Sequence, residues 1–279
     1  MESGSYTVRS LVEAETFHPV IGPVTEGREL YLRGLDLRRR LEAMGTGELV
    51  IWDIGLGAGA NVLTVLGATR DLPARVHVVS FDRTLGALAF AREHSGPLEY
   101  LNGYESAVGE LVERGEVQFA DGVREVRWEV RVGDFPELLR GVGSAEWARP
   151  HAIFFDPFSP GKNPLMWSVP LFQRLRAALD PARPCALATY TRATMARAGL
   201  LAGGFFVGVG PGIGRKEETT LASNDLALLE QPLGAKWLER ARVSGSAEPI
   251  WDDFYSQSPL TAETLQILER HPQFNRPAE

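Results

Sequence analysis

The sequence has 279 residues, 44% of them hydrophobic, which is enough for a sizeable core in one large domain or in a domain with an appendage. The single cysteine, Cys185, excludes an internal disulfide and a cysteine zinc cluster, and no apolar run is long enough to span a membrane. The net charge is −7 and the N-terminus carries acids without an apolar signal core, so we expect a soluble cytoplasmic protein.

Hydrophobic patterning predicts that strands and helices alternate after an irregular segment of about 45 residues. The first half is predicted to hold a strand at 48–55, a helix at 61–70, a strand at 76–82, helices at 84–94 and 106–115, and a hairpin around an Asp-Gly pair at 117–134. The second half is predicted to hold a short helix from residue 135, a strand at 151–156, a helix at 168–179 with Ser168 as its N-cap, a strand at 185–190, a helix at 191–203 and strands at 205–210 and 219–225. After about residue 235 we expect a polar tail with one helix, at 261–270.

This alternation predicts an α/β fold, a doubly wound and mostly parallel sheet with helices on both faces and a C-terminal antiparallel hairpin. Ligands of such sheets bind outside the carboxyl ends of the strands. Four acids lie at or near these ends: Asp53, Asp82, Asp134 and Asp156. Like charges crowded on one rim repel unless a ligand supplies donors or positive charge, so we expect a ligand site there.

The first strand runs into a glycine turn, DIGLGAGAN, in which Gly55, Gly57 and Gly59 allow a ligand to approach the backbone closely. The next helix offers its N-terminal N–H groups to the same ligand. The spacing also satisfies the G-x-G-x-x-A fingerprint of dinucleotide binding, so the turn alone is compatible with a nicotinamide cofactor and with S-adenosylmethionine.

The neighbouring acids favour S-adenosylmethionine. Asp53 suits the amino group of a methionine-like ligand, Asp82 suits ribose hydroxyls, and Asp134 suits an adenine amino group with Phe135 beside it. Three acids fit a nucleoside that carries a sulfonium and an ammonium better than they fit a pyrophosphate. We therefore favour a methyltransferase over a nicotinamide-dependent oxidoreductase, and expect no metal because histidines and cysteines are not clustered.

The stretch FFDPFSPGKNPLMW places Asp156 at the end of a buried strand, followed by Pro157 and Phe158. This resembles the acid-Pro-Pro-aromatic signature of amino-nitrogen methyltransferases. Methyl transfer to nitrogen needs the amine lone pair to point at the methyl carbon, and a carboxylate that accepts an N–H bond fixes that direction. The same carboxylate stabilises the nitrogen as it becomes cationic. Asp156 is thus the predicted catalytic residue.

The chain also resembles the methyltransferase half of the MnmC family, which modifies the tRNA wobble uridine, together with that family's stand-alone relatives. The similarity is strongest in DPFSPGKNPLMW, and extends to GPVTEGRELYLRGLDL (22–37), the glycine turn, VVSFDR, VGDFPELL, ALATYTRATMARAGLLAGGFFV and GIGRKEET (212–219). It covers roughly residues 15 to 225.

This resemblance implies the class I S-adenosylmethionine-dependent methyltransferase fold, which is Rossmann-like, and methylation of the amine of 5-aminomethyl-2-thiouridine in the tRNA anticodon stem-loop. It implies further cofactor contacts at Asn61 and Arg83. The acceptor-binding residues that it implies are Glu26, Tyr31, Phe158, Lys162, Trp167, Arg215 and Lys216. Aromatic residues such as Phe158, Trp167 or Tyr190 are expected to stack on the target uridine when it is unstacked into the pocket. In this family a flavin-dependent oxidase domain supplies the amine, and with 279 residues we expect neither that domain nor FAD here. We expect an N-terminal segment packed on the active site (1–45), a methyltransferase domain (46–230) and a C-terminal extension (231–279).

One local block departs from the acidic character of the chain. Between Pro157 and Lys216 there are eight bases and one acid, Asp180. Bases on loops after the fourth to sixth strands, including Lys162, Arg192, Arg197 and the Arg215-Lys216 pair, are predicted to contact tRNA phosphates. A small-molecule amine methyltransferase of the same fold and a non-catalytic binding module are the alternatives.

Overall fold

Parallel strands rich in β-branched and aromatic residues form the centre of the computed structural model, which describes residues 6–9, 15–16, 22–141, 143, 146–214 and 216–275. The strands are β1 (Glu48–Ile54), β2 (Arg75–Asp82), β3 (Glu116–Asp121), β4 (Arg124–Val132), β5 (Ala152–Phe155), β6 (Ala186–Thr189), β7 (Phe206–Gly210) and β8 (Thr219–Ser223). They pair in the order β3-β4-β2-β1-β5-β6-β8-β7. The five strands from β4 to β6 in that order are mutually parallel, whereas β3, β7 and β8 are each antiparallel to their neighbours.

Helices connect these strands and pack on both faces. The α-helices are α1 (Pro23–Glu26), α2 (Leu37–Met44), α3 (Ala60–Thr69), α4 (Gly86–Glu93), α5 (Glu105–Arg114), α6 (Phe135–Arg140), α7 (Val169–Ala177), α8 (Thr194–Ala202), α9 (Ala235–Arg242) and α10 (Ala262–Glu269). Short 3₁₀ turns lie at Glu99–Leu101, Pro164–Trp167 and Leu226–Leu228, and a π-helix spans Gly27–Arg33. The predicted doubly wound, mostly parallel sheet with a C-terminal antiparallel hairpin is confirmed.

Strand β1 shows why the core has two layers. Successive side chains of a strand point to opposite faces. Leu49 and Ile51 join the buried cluster on one face, while Val50, Trp52 and Ile54 join the cluster on the other. Such a strand reads as a continuous apolar run because both of its faces are covered.

The prediction that the first 45 residues are irregular is wrong from residue 23 onward. Helices α1 and α2 flank the π-helix, in which Gly34 N donates to Glu29 O at 3.1 Å across five residues. A π-turn interrupts the 3.6-residue period on which sequence patterning depends. Packing on α3 supports the segment, and it is close enough that a Cβ at Gly27 would lie 2.9 Å from Thr64 Cβ.

The C-terminal tail also differs from the prediction, because it contains two helices, α9 and α10, and not one. Helix α9 buries Trp237 and Leu238 in the same cluster as α7 and α8, although its sequence is mostly polar. The tail reaches the sheet at its β7 edge, where the side chain of Gln273 accepts from Val207 N at 2.7 Å and donates to Val207 O at 2.7 Å. The predicted domain boundaries at 45 and 230 stay a prediction.

Among the described residues, none of the helices has the length and apolar character needed to cross a bilayer.

Candidate active site

A cavity of about 580 Å³ opens at the carboxyl end of the parallel strands. Most of the predicted site residues line it: Glu26, Gly55, Gly57, Asp82, Arg83, Asp134, Phe135, Asp156, Phe158, Trp167 and Lys216. Five others are placed outside its lining: Tyr31, Asp53, Gly59, Asn61 and Lys162. Arg215 lies outside the described residues.

The glycine turn lies between the ends of β2 and β5 and contacts both. Gly55 has φ of 98°, a conformation that favours glycine. A Cβ at this position would also lie 2.5 Å from the carbonyl oxygen of Asp156. Two residues on, Gly57 N donates to Asp82 Oδ2 at 2.9 Å, which ties the turn to the end of β2. The turn therefore fixes acids on both sides of the cavity.

Asp53 is buried beneath the turn and is 1% exposed. Its Oδ2 accepts from Ser80 Oγ at 2.8 Å, and Ser80 Oγ accepts in turn from Trp128 Nε1 at 2.9 Å. Burial raises the pKa of Asp53 to about 7, and the nearby carboxylates of Asp156 and Asp82 act in the same direction. The structure thus places a carboxyl group with a raised pKa under the turn, and its predicted contact with the methionine amino group stays a prediction.

Asp82 and Asp134 stand at the wall of the cavity itself. Asp82 Oδ1 accepts from Thr84 N at 3.2 Å, and burial raises its pKa. Asp134 precedes α6, its carbonyl accepts from Glu137 N at 3.0 Å, and the residue lines the cavity. Phe135 packs edge-on against Phe81 with ring centroids 4.9 Å apart. Two acids beside an aromatic wall are suited to a nucleoside with hydroxyl and amino donors.

Asp156 follows β5 directly and is oriented by a neighbouring amide. Asn61 Nδ2, in the first turn of α3, donates to Asp156 Oδ2 at 2.9 Å. Sequence analysis assigned Asn61 to the cofactor, whereas the structure joins it to the predicted catalytic carboxylate. Such a bond fixes the orientation of the Asp156 carboxylate.

The loop after Asp156 is anchored by Trp167. The indole is 4% exposed, and its Nε1 donates to Phe158 O at 2.9 Å. Its ring meets Phe155 edge-on at 5.3 Å. Phe158 is half-buried and lines the cavity, so it is more accessible for stacking than Trp167. In the same loop, Ser159 Oγ donates to Glu15 Oε1 at 2.6 Å, and both residues line the cavity.

The N-terminal segment contributes an acid and a tyrosine. Glu26 lines the cavity although it is only 3% exposed. Tyr31 is fully buried, stacks on Phe154 at 4.3 Å, and has no hydrogen-bond partner for its hydroxyl among the described residues. Burial raises the pKa of Tyr31 well above its ordinary value, and the nearby carboxylates of Asp156, Glu26 and Asp53 raise it further.

The predicted basic block is only partly a surface feature. Arg197 is 2% exposed and bonds to Glu218 Oε1 at 3.0 Å and Thr219 O at 2.8 Å, so its predicted contact with phosphate is wrong. Arg197 lies in α8, and its partners lie just before and at the start of β8. A count of charges along the sequence does not reveal such contacts. Lys216 faces the cavity, while Lys162 is exposed on the loop after β5.

Tyr190, the third aromatic residue expected to stack on the uridine, also lines the cavity. It lies at the carboxyl end of β6, together with Thr189 and Thr191. Its contact with the uridine stays a prediction.

Comparison with known proteins adds to this geometry. A sequence family described as S-adenosyl-L-methionine-dependent methyltransferase matches residues 103–225. The tRNA 5-methylaminomethyl-2-thiouridine biosynthesis bifunctional protein MnmC of Chromobacterium violaceum is 31% identical over 278 residues, which cover 95% of this chain and 41% of that protein. The protein of the same name from Ralstonia nicotianae is 29% identical over 248 residues, which cover 86% of this chain and 34% of that protein.

The chain therefore spans well under half the length of these curated relatives. Among solved structures, MnmC2 from Aquifex aeolicus matches with a TM-score of 0.69 and 23% identity, covering 95% of this chain and 81% of that one. This likeness confirms the predicted fold class.

Proposed function

The chain is an S-adenosyl-L-methionine-dependent methyltransferase related to the methyltransferase part of MnmC, and from this premise we propose that it methylates the aminomethyl nitrogen of 5-aminomethyl-2-thiouridine at the tRNA wobble position. The product is 5-methylaminomethyl-2-thiouridine. The glycine turn alone was also compatible with a nicotinamide-dependent oxidoreductase. The match to a family of S-adenosyl-L-methionine-dependent methyltransferases favours methyl transfer over that alternative.

The observation that carries the proposal is the position of Asp156. Asp156 lines the cavity, its carboxylate accepts from Asn61 Nδ2 at 2.9 Å, and its backbone lies against Gly55 of the glycine turn. A carboxylate in that position accepts an N–H bond from the acceptor amine and directs the nitrogen lone pair toward the cofactor side. It also stabilises the positive charge that the nitrogen gains during transfer.

The cofactor residues fit S-adenosylmethionine on chemical grounds. Gly55 and Gly57 leave the backbone open, Asp82 is an acceptor for ribose hydroxyls, and Asp134 with Phe135 is suited to adenine. When bound, the cofactor supplies an electrophilic methyl group on a sulfonium. Acids around the cavity favour that cation, whereas they would oppose the pyrophosphate of a dinucleotide.

Docking of tRNA is assigned to bases outside the cavity. Lys162 is exposed beside the Asp156 loop, and Arg192 is exposed at the start of the segment that leads into α8. Contacts of such side chains with phosphates position the RNA without reading its sequence. Phe158 then offers a ring to the unstacked uridine, as in other enzymes that act on an extruded base.

Nucleoside analysis tests the proposal. tRNA that carries 5-aminomethyl-2-thiouridine is incubated with the protein and S-adenosylmethionine, digested, and separated with mass detection. We expect the aminomethyl nucleoside to decrease as its mass plus one methyl group appears. An unchanged nucleoside profile, with bound cofactor confirmed by calorimetry, would exclude this acceptor.

A second candidate is a small-molecule amine methyltransferase of the same fold. The observation that favours it is the inward placement of Arg197 and Lys216, which removes two bases from the predicted docking surface. A competition assay separates the two candidates. If the protein methylates a small amine and excess unmodified tRNA does not slow that reaction, the small-molecule acceptor is favoured. Transfer only to tRNA favours the wobble uridine.

A further inference from the structure

Lys216 is held inside the cavity by the loop that joins β7 to β8. Ile213 and Lys216 exchange two backbone hydrogen bonds, of 2.9 and 3.0 Å, which close a tight turn. Gly214 supports that turn with φ of 58°. The loop therefore holds Lys216 at the cavity, whereas Lys162 is exposed and lies outside the cavity lining.

The ammonium group of Lys216 lies on Tyr190. Its Nζ is 3.4 Å from the centre of the ring and donates to Tyr190 O at 3.3 Å. An ammonium has three donors and no acceptor, and that carbonyl is the only hydrogen-bond acceptor given to it by the described residues. At least one further N–H is thus available to a ligand in the cavity.

Acids line the same space. Glu26 and Asp156 line the cavity with Lys216 and Tyr190. Burial raises the pKa of Tyr190, and the carboxylates of Glu26 and Asp156 raise it further. An acceptor molecule in this cavity would meet both carboxylates and the ammonium of Lys216. This arrangement suits an amine that stands next to a carbonyl oxygen.

We propose that Lys216 determines base specificity by donating a hydrogen bond to the 4-oxo group of the acceptor pyrimidine. The inference rests on the proposed function, in which the amine is attached through one carbon to position 5 of a uracil ring. The 4-oxo oxygen is the hydrogen-bond acceptor of the ring that lies nearest to such an amine. When Asp156 accepts a hydrogen bond from the amine, Lys216 donates one to this oxygen.

A cytosine ring would be rejected at the same point. Its 4-amino group is a hydrogen-bond donor, and an ammonium offers only donors, so the two groups cannot pair. A phosphate contact, by contrast, would favour neither base. Base discrimination therefore separates the two roles of this lysine.

The experiment uses two anticodon stem-loop RNAs that differ only at the wobble position, where one carries 5-aminomethyluridine and the other 5-aminomethylcytidine. We expect the wild type to prefer the uridine by roughly 10- to 100-fold in kcat/KM, the size of one hydrogen bond to a charged group. Lys216→Met should bring the ratio close to one while leaving cofactor affinity unchanged. Lys236→Met, which removes an exposed lysine of α9, is the matched control and should keep the wild-type ratio.

Three results would overturn the proposal. A Lys216→Met variant that loses rate equally on both RNAs and keeps the preference would make Lys216 a phosphate contact or a structural residue. Equal rates of the wild type on both RNAs would show that position 4 is not read. Methylation of neither RNA by cofactor-loaded wild type would remove the proposed function, and the inference with it, whereas the first two results leave that function intact.

Discussion

The two sides of the cavity are built in different ways. The cofactor side comprises the ends of β1, β2 and β4, and each of its groups lies within or directly after the strand that positions it. The acceptor side comprises the ends of β5 and β6, the loop before β8 and the N-terminal helices. Glu26, Asp156 and Lys216 meet there from segments more than fifty residues apart in the chain. Each cofactor-side acid can thus be predicted from the strand beside it, whereas Glu26 and Lys216 reach the acceptor side from segments outside the parallel strands.

Gly55 is where the two sides touch, because its backbone lies against that of Asp156. A shift of the backbone on one side of this contact would therefore move the other side. Variants on each side test whether cofactor binding and methyl transfer can be changed separately.

The largest effect is expected from Asp156→Ala on the acceptor side. Loss of a group that both orients the amine and stabilises its charge should lower single-turnover methyl transfer on the order of a hundredfold or more. Cofactor affinity, measured by calorimetry, should stay within a few fold. Asp156→Asn, which keeps an acceptor oxygen, should lose less. Weak cofactor binding with an intact rate at saturation would instead move Asp156 to the cofactor side.

Gly55→Ala should damage both sides at once. In the present backbone the new Cβ would lie 2.5 Å from Asp156 O, and alanine would have to adopt a φ of 98°. The turn must therefore shift to accept alanine. We expect weaker cofactor binding and slower transfer, each by about tenfold, from strain of about 1–3 kcal/mol. Gly96→Ala is the control, since nothing lies within 4 Å of its Cβ position. A Gly55 variant that loses only cofactor affinity would show that the sides are uncoupled.

The buried acid of the cofactor side should appear in the pH dependence of stability. Asp53 has a folded pKa of about 7 against an ordinary value of 3.8. Between these values the folded protein keeps a proton that the unfolded chain has released, so the free energy of unfolding falls as pH rises.

Denaturant unfolding from pH 5 to pH 7 measures this effect. The wild type should lose stability relative to Asp53→Asn by on the order of 1 kcal/mol for each pH unit. A difference that does not change with pH would mean that Asp53 is ionised throughout.

The smallest effect concerns the exposed surface beside the acceptor side. Lys162→Gln should lower the slope of log affinity for tRNA against log salt by roughly one unit or less. Arg174→Gln, on the exposed face of α7, should leave the slope unchanged. If both variants lower the salt slope equally, tRNA is attracted by the overall electrostatic field of the protein and not by contacts with the Lys162 loop.

This contrast also explains what the sequence could predict. The hairpin at 117–134 was predictable because an Asp-Gly turn and alternation are local signals, and β3 and β4 form it. The N-cap Ser168 was predictable for the same reason, and its Oγ accepts from Leu171 N at 3.4 Å. The strand ends that carry Asp82 and Asp156 followed from buried apolar runs.

Long-range contacts account for the errors. The charge of Arg197 was visible, but its burial depends on Glu218 and on strand β8, which pairs with β6. The inward direction of Lys216 depends on Tyr190, a residue of another loop. The helices before β1 escaped prediction because a π-turn breaks their period and packing on α3 supports them. Asn61 was predicted as a cofactor contact, and its bond to Asp156 depends on how α3 packs beside the end of β5.

The amide of Gln273 has a consequence for association between molecules. Strand β7 is the outermost strand on its side of the sheet, and such an edge offers unpaired N–H and C=O groups to other chains. Gln273 occupies both groups of Val207, and Val209 N donates to Gln231 O at 2.8 Å along the same edge. A chain shortened before Gln273 would leave Val207 N unpaired as a template for strand addition, while Leu233 N would still donate to Val207 O at 2.9 Å. We therefore read this part of the tail as protection against aggregation.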